Sequence, residues 1–515
     1  MNPVIETTSG KLAGRTKNGV TRFLGIPYAR APVGVRRFRP PEPPESWVGV
    51  RDADAFGGSA PQTAFGAGAL PGTSVGAQSE DCLYLNAWTP SPDGARRPVL
   101  VWIHGGGFTV GSGSQESYDP TGLVSRGGVV VVTINYRLGA LGFLYLGARG
   151  AAGLGAQANL GLLDQIEALA WVRDNAAALG GDPENVTIFG ESSGGRSVAA
   201  LLGTPAARGL FQRAIAQSGA ASHLHDEASA SAIAIADELL RELGIARDAT
   251  RALRDVPVAV LLEAQSRIVA RRVGTPGWLP FQPVVDGIVL QEPPLDAIRT
   301  GLSRDVPLLV GSNRDEWKLF AAMDLRLQKL DEAGLRARVE QRVPGRDPER
   351  ARALIEGYRR SGEARVGTTP VDLFCALETD RVYRIPTLDL ADAQLAAGAS
   401  VHAYLFTRPA ALLGGALGAC HAAEIPFVFG NVRSAAGRAF AGSGPDVERL
   451  EAQLVDAWSG FARSGAPGAS SLPDWPAYTV ERRETMTLDA TCALELDPGS
   501  ATRRLWAGFP GRATS

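Results

Sequence analysis

Short, strongly apolar runs recur along this chain, with helix-compatible stretches between them. The runs at 99–104, 129–135, 186–189, 214–217, 307–311 and 401–406 are continuously apolar rather than alternating. That is the pattern of strands buried on both faces of a mostly parallel sheet covered by helices. Between the second and third runs, residues 160–179 carry Leu163, Ile166, Leu169 or Ala170, and Leu179 on one helical face. Gly180 and Gly181 should end that helix, since glycine suits a helix C-terminus. The first 24 residues have briefer apolar runs punctuated by Ser9-Gly10 and Asn18-Gly19, which predicts a small antiparallel meander. Helical stretches at 228–272 and 335–360, the second broken near Pro344-Gly345, read as insertions into the sheet. A late helix at 447–463 puts Trp458 and Phe461 on one face. Residues 57–79 are rich in Gly, Ala, Pro and small polar residues and follow neither period. They read as a long surface loop, and such loops often serve as lids.

Composition narrows the classes. A length of 515 residues alone suggests three domains, at about 150 residues each. With 45% hydrophobic and 21% charged residues, 52 basic against 54 acidic, the net charge is −2. This balance lacks the basic stripe of a nucleic-acid binder and the charge excess of a disordered tail. No apolar run approaches the roughly 18 residues of a membrane span. The start, MNPVIETTSG, has no basic segment followed by an apolar one, so no secretory signal is expected. Cys82, Cys375, Cys420 and Cys492 share no CxxC spacing, so neither a metal site nor a redox motif is expected. Lysine occurs only at Lys11, Lys17, Lys318 and Lys329, and no function is read from that bias.

Two glycine-rich elements carry chemistry. Gly190-Glu191-Ser192-Ser193-Gly194 fits the Gly-x-Ser-x-Gly pattern, a sharp strand-to-helix turn that exposes a serine. In a chain with 61 glycines the pattern also arises by chance, and Gly72-Thr73-Ser74-Val75-Gly76 is such a decoy. Ser192 follows the β-branched and aromatic run 186–189 and precedes a helix-compatible run at 197–202, whereas Ser74 has neither neighbour. The second element, His104-Gly105-Gly106-Gly107-Phe108, ends the apolar run 99–104. Uncrowded backbone amides there can point at a developing oxyanion. A phosphate loop is the competing reading, but its lysine is missing. On chemistry alone the base is one of five histidines, His104, His223, His225, His402 and His421. Of these His402 lies in an apolar run and reads as structural, His104 belongs to the glycine element, and His223 and His225 could line a pocket.

These motifs, with Phe23 to Ala29, Arg37 to Pro41, Ser79 to Asn86, Asn135-Tyr136-Arg137, Asn159 to Gln165, Gly180 to Pro183 and Trp475 to Tyr478, resemble the type B carboxylesterase family. That family is a branch of the α/β-hydrolases that includes bacterial para-nitrobenzyl esterases and cholinesterases. The stretch at about 228–300 matches poorly. The resemblance implies an α/β-hydrolase fold: a large, mostly parallel twisted sheet with helices on both faces. It implies carboxylic ester hydrolysis through an acyl-enzyme on Ser192, with Glu316 as the acid and His421 as the base. Asp315 is adjacent to Glu316, and neighbours in extended chain face opposite ways, so one of the two should reach the imidazole. The oxyanion donors implied are the amides of Gly106, Gly107 and Ser193. Glu191 and Ser218 resemble supporting positions, and Glu80 with Arg37 a structural salt bridge.

A single site drawing on positions near 106, 192, 316 and 421 replaces the three-domain expectation with one catalytic domain over 1–515, with helical insertions at about 228–300 and 320–395. Three departures from the family stand out. Cys82 lacks its usual disulfide partner, since Ser59-Ala60-Pro61-Gln62 contains no cysteine, so it is expected to be a free thiol in a cytoplasmic protein with an unstapled loop. Ser193 stands where alanine is common. Trp317 follows the acid where glycine is frequent, either packing in the core, the favoured reading, or narrowing the pocket. No cofactor, metal, nucleic acid or membrane span is implied, only a small-molecule ester substrate, and the protein is expected to be a monomer or weak homodimer. A lipase and a non-catalytic binding protein of the same fold are the alternatives, and choline ester preference is not expected.

Overall fold

Valine, isoleucine and aromatic residues crowd the central apolar runs, and alternation across a strand leaves such runs no face for water. All five residues of the strand 130–134 and six of the seven in the strand 97–103 are buried. The structure, a computed structural model, describes residues 2–63, 70–147, 154, 158–220, 226–275, 279–363 and 366–509. In chain order the strands are β1 (Val4–Thr7), β2 (Gly10–Ala13), β3 (Arg15–Lys17), β4 (Val20–Pro27), β5 (Val50–Asp52), β6 (Tyr84–Thr89) and β7 (Arg97–Ile103). They continue with β8 (Val130–Ile134), β9 (Gly181–Glu191), β10 (Arg213–Gln217), β11 (Leu308–Asn313), β12 (Val401–Phe406), β13 (Glu484–Leu488) and β14 (Ala493–Leu496). Eleven of them form one sheet in the order β14-β13-β12-β11-β10-β9-β7-β8-β6-β4-β3. The seven from β8 to β13 in that order are mutually parallel, flanked by antiparallel β14 on one edge and by β6, β4 and β3 on the other.

The predicted meander is divided between two sheets. β1 and β2 pair with β5 in a small separate sheet, while β3 and β4 join the large one. The split falls at Gly14, where a Cβ would lie 2.6 Å from the Arg22 carbonyl, so the chain can turn there only without a side chain. The helix Leu160–Asn175 runs on through a tighter turn, Ala176–Leu179, and ends at Gly180 with φ 80°. Gly181 opens β9 instead of ending the helix, because its backbone lies against Val99, whose Cγ2 would be 2.5 Å from any Cβ. The stretches predicted as helical form Asp226–Glu242, Val258–Arg272, Glu332–Glu340 and Pro348–Arg360, with the break at Gly345 (φ 68°).

One face of the sheet packs under Leu160–Asn175 and the helix Ser193–Leu202, the other under the late helix Pro445–Ser464 with its buried Trp458 and Phe461. A third cluster of buried side chains joins the helices between Trp317 and Ala396. Register aligns the carboxyl ends of the strands: Ile103 pairs with Gly190, Gln217 with Glu191 and Gly311 with Gln217. In open α/β sheets that edge is where ligands bind. Among the described residues no helix is long and apolar enough to cross a membrane.

A buried ion pair ties the loop after β8 to the helix beneath the sheet. Arg137 gives two guanidinium hydrogen bonds to Asp164 (2.8 and 2.6 Å) and a backbone one (3.0 Å), with both side chains buried. Removing one partner of such a pair strands the other charge, which costs about 3–5 kcal/mol. Asp164→Ala should therefore move the urea midpoint sharply down, whereas an unchanged midpoint would show that the pair is not structural.

Candidate active site

β9 delivers its last residue, Glu191, to the carboxyl edge, and the chain turns at Ser192 directly into the helix Ser193–Leu202. Ser192 sits at φ 58°, ψ −121°, a backbone state that costs an L-residue about 1–3 kcal/mol. Its neighbours have no side chains to oppose it. A Cβ on Gly194 would fall 2.0 Å from the Ile103 carbonyl, and one on Gly219 would fall 2.3 Å from the Ser192 carbonyl. Two backbone hydrogen bonds hold the turn, from the Ser192 amide to the Gln217 carbonyl (3.0 Å) and from the Arg196 amide to the Ser192 carbonyl (2.9 Å). Glu191 and Ser193 are buried while Ser192 stays partly open. Ser193 is the first helical residue, so its amide has no partner within the helix.

The glycine run lies against this turn: a Cβ on Gly105 would stand 3.2 Å from the Ser192 Cβ and 3.0 Å from Glu191 Oε2. Gly106 (φ 111°) and Gly107 (φ 62°) adopt left-handed backbone. His104 is fixed by stacking on Tyr136 (4.4 Å between centroids), whose hydroxyl donates to the His104 carbonyl (2.7 Å). Burial lowers the His104 imidazole to about 4, so it stays neutral. Gln62 was not singled out from the sequence. Its side-chain amide donates to the Gly111 carbonyl (2.9 Å) and its oxygen accepts from the Gly111 amide (2.8 Å). Gly111 in turn backs onto Gly105 and His104, either of which a Cβ would strike at 2.4 Å. Ser59 adds a bond from its hydroxyl to Ser112 (2.7 Å). Cys82 is a free thiol, as expected, and the segment that lacks a cysteine partner is held by these hydrogen bonds instead of a disulfide. No periodicity marks a side chain that pairs with backbone in this way.

Across the cleft, His421 Nδ1 meets Glu316 Oε2 at 2.6 Å, while Nε2 faces Glu191 Oε1 at 3.1 Å. The other Glu316 oxygen accepts from the Asn313 amide at 2.7 Å. Asp315 turns elsewhere, to Arg314 and Lys318 (both 3.0 Å) and the Ala419 amide (3.0 Å). The two acids diverge because they lie in a turn after β11, not in the extended chain assumed from the sequence. A third buried carboxylate, Glu424, accepts from Asn313 Nδ2 (2.7 Å) and Gln217 Nε2 (3.0 Å). Burial favours neutral His421, but Glu191, Glu316 and Glu424 outweigh it and raise its pKa to about 9. Burial pushes the Glu191 carboxyl up to about 8. The contact between the two is therefore one that readily shares a proton.

Aromatic rings enclose the imidazole: Tyr383 at 4.7 Å and Phe320 at 5.1 Å between centroids. Trp317 packs behind Phe320 (5.0 Å) in the helical cluster and is buried, the core alternative of the two weighed. Ser218 is buried with φ 47° and a hydroxyl that finds no partner among the described residues. Arg37 and Glu80 pair at 2.7 Å, and Arg37 also donates to the carbonyls of Arg254 (2.9 Å) and Val256 (2.6 Å) in the poorly matched stretch. Ser74 is exposed and lies in no strand or helix. His402 is buried within β12, its pKa lowered to about 4 by that burial. His223 and His225 lie outside the described residues. All four cysteines are free and buried.

Comparison with known proteins agrees with this architecture. A family model described as the carboxylesterase family matches residues 1–505. Para-nitrobenzyl esterase of Bacillus subtilis is 40% identical over 507 residues, covering 97% of this chain and 98% of its own length. Phenmedipham hydrolase of Pseudarthrobacter oxydans is 38% identical over 487 residues, covering 93% of each. Among solved structures, a carboxylesterase of Geobacillus stearothermophilus at pH 6.2 superposes with a TM-score of 0.87 at 42% identity, over 98% of this chain and 99% of the other. With its α/β-hydrolase sheet and a match that spans almost the whole sequence, the chain belongs to the carboxylesterase family.

Proposed function

We propose that Ser192, His421 and Glu316 form the catalytic triad of this carboxylic ester hydrolase. The observation that carries the reading is the buried 2.6 Å contact between His421 and Glu316, facing the strained turn that presents Ser192. His421 Nε2 takes the Ser192 proton as the hydroxyl oxygen attacks the ester carbonyl, and the imidazolium then protonates the leaving alcohol. Water repeats the sequence on the acyl-enzyme and releases the acid. General base catalysis of this kind contributes roughly 10² to 10⁴ in rate. Glu316 accepts a hydrogen bond from the Nδ1–H group, fixing the tautomer and stabilising the imidazolium. The amides of Gly106, Gly107 and Ser193 receive the oxyanion, one such donor being worth about 10² to 10³.

Glu191 adds a charge beside Nε2 that stabilises the imidazolium formed in each half-reaction. Gln62 sets the glycine run by fixing Gly111 from below. Residues 64–69, the middle of the loop at 57–79 read as a lid, lie outside the described residues. Strands on both sides of the insertions share one sheet, which supports a single catalytic unit. Four buried free thiols suit a reducing compartment, the cytoplasm.

Replacing the nucleophile gives the first test. Ser192→Ala should lower kcat on a short-chain nitrophenyl ester by roughly 10⁶, as for other triads, with the fold retained by circular dichroism. Ser74→Ala should leave that rate unchanged, and the reverse pattern would move the nucleophile to Ser74. A pH profile gives the second. Because the carboxylates raise the His421 pKa, a neutral base exists only toward higher pH, so activity rises through that pKa. Glu191→Gln removes one of those charges and should shift the acid limb of kcat/KM to lower pH. A limb that stays in place or moves up would show that Glu191 does not act on His421.

A further inference from the structure

Arg196 has no role in the chemistry above, yet it stands one helical turn beyond the nucleophile. Side chains on a helix tilt toward its N-terminus, so this one is thrown back toward the Ser192 end. The residue is only 7% exposed. Among the described residues its guanidinium takes part in no hydrogen bond and no ion pair. Such burial is costly for a cation that cannot shed its proton, unless an anion is supplied.

Among the described residues none supplies one. The ionisable groups that act on Arg196 are Tyr383 and a second cation, Arg381. Arg381 is already bound to Glu378 (2.7 and 3.0 Å), and Glu378 also takes Arg342 (2.8 Å), so that carboxylate is shared by two arginines. Tyr383 is also the ring 4.7 Å from His421, so one ring neighbours both the guanidinium and the imidazole. Leu279 packs at the Gly107 backbone, which puts an apolar side chain against the glycine run.

We propose that Arg196 is a carboxylate-recognition residue of the substrate cavity, and that this enzyme acts on esters carrying a free carboxylate. The planar fork of the guanidinium matches a carboxylate with two parallel hydrogen bonds. The negative charge lies on either the acyl part, as in a half-ester of a dicarboxylic acid, or the alcohol part, as in an acylated hydroxy acid. The inference rests on the ester-hydrolase reading above and narrows its substrate class.

Two substrate pairs test it and separate the two sources of charge. Monomethyl glutarate against dimethyl glutarate places the charge on the acyl side. Acetoxyacetate against methyl acetoxyacetate places it on the alcohol side. In at least one pair the wild-type enzyme should favour the charged ester, and Arg196→Met, which keeps the apolar stem, should lower the charged-to-neutral ratio of kcat/KM by roughly 10- to 100-fold. Arg196→Lys should restore part of that ratio, and the responding pair identifies the side. A ratio that is unchanged by Arg196→Met in both pairs overturns the proposal. Should that variant not fold, the wild-type enzyme decides: glutarate should inhibit nitrophenyl acetate hydrolysis at least about tenfold more strongly than glutaramide, and equal inhibition overturns it. Failure of the parent reading looks different, since the wild-type enzyme would then hydrolyse no ester at all.

Discussion

At Ser192 the backbone is held at φ 58°, ψ −121°, and the surrounding residues are chosen so that it can stay there. The turn works only if β7, β9 and the following helix approach more closely than any side chain allows, as the 2.0 Å from a Gly194 Cβ to the Ile103 carbonyl makes plain. That approach fixes the register of β7 against β9, and with it the place of the glycine run relative to the serine. The strain is local. Its compensation lies in the sheet, where fully buried parallel strands and the Arg137–Asp164 pair lock the scaffold.

The same constraint concentrates charge. With strand ends converging on one edge, Glu191, Glu316 and Glu424 are buried around a single imidazole, and three hydrogen bonds from Asn313 and Gln217 keep two of those carboxylates in place. Trp458 on the late helix donates to Gln217 (3.1 Å), so the far face of the sheet also helps to hold this polar network. A histidine in that field prefers its cationic form. For His421 as the proposed base, this field makes the neutral form harder to free at low pH and stabilises an imidazolium.

The sequence revealed the parts whose physics leaves a one-dimensional mark. β7, β8 and β12 are strongly apolar because both faces are covered, and each was legible within two residues. The elbow at 190–194 and the run at 105–107 were legible because close approach and positive φ require glycine. Edge strands β5 and β14 are largely exposed, and β13 carries Thr485 and Thr487, so none shows the apolar run that marks a central strand. Glu316 and His421 emerged from family resemblance and not from any pattern in their own neighbourhoods. Their contact spans 105 positions. Gln62 and Arg196 escaped notice for the same reason: what distinguishes one is a backbone partner 49 positions away, and what distinguishes the other is the lack of a partner among the described residues.

The central claim is that the strained turn presents one activated hydroxyl, that of Ser192. Labelling the intact protein with a fluorophosphonate and locating the adduct by peptide mass spectrometry tests this most directly. The account predicts one adduct per chain, on Ser192, forming only where His421 is unprotonated. An adduct on another residue, or no adduct in protein that hydrolyses esters, would contradict it.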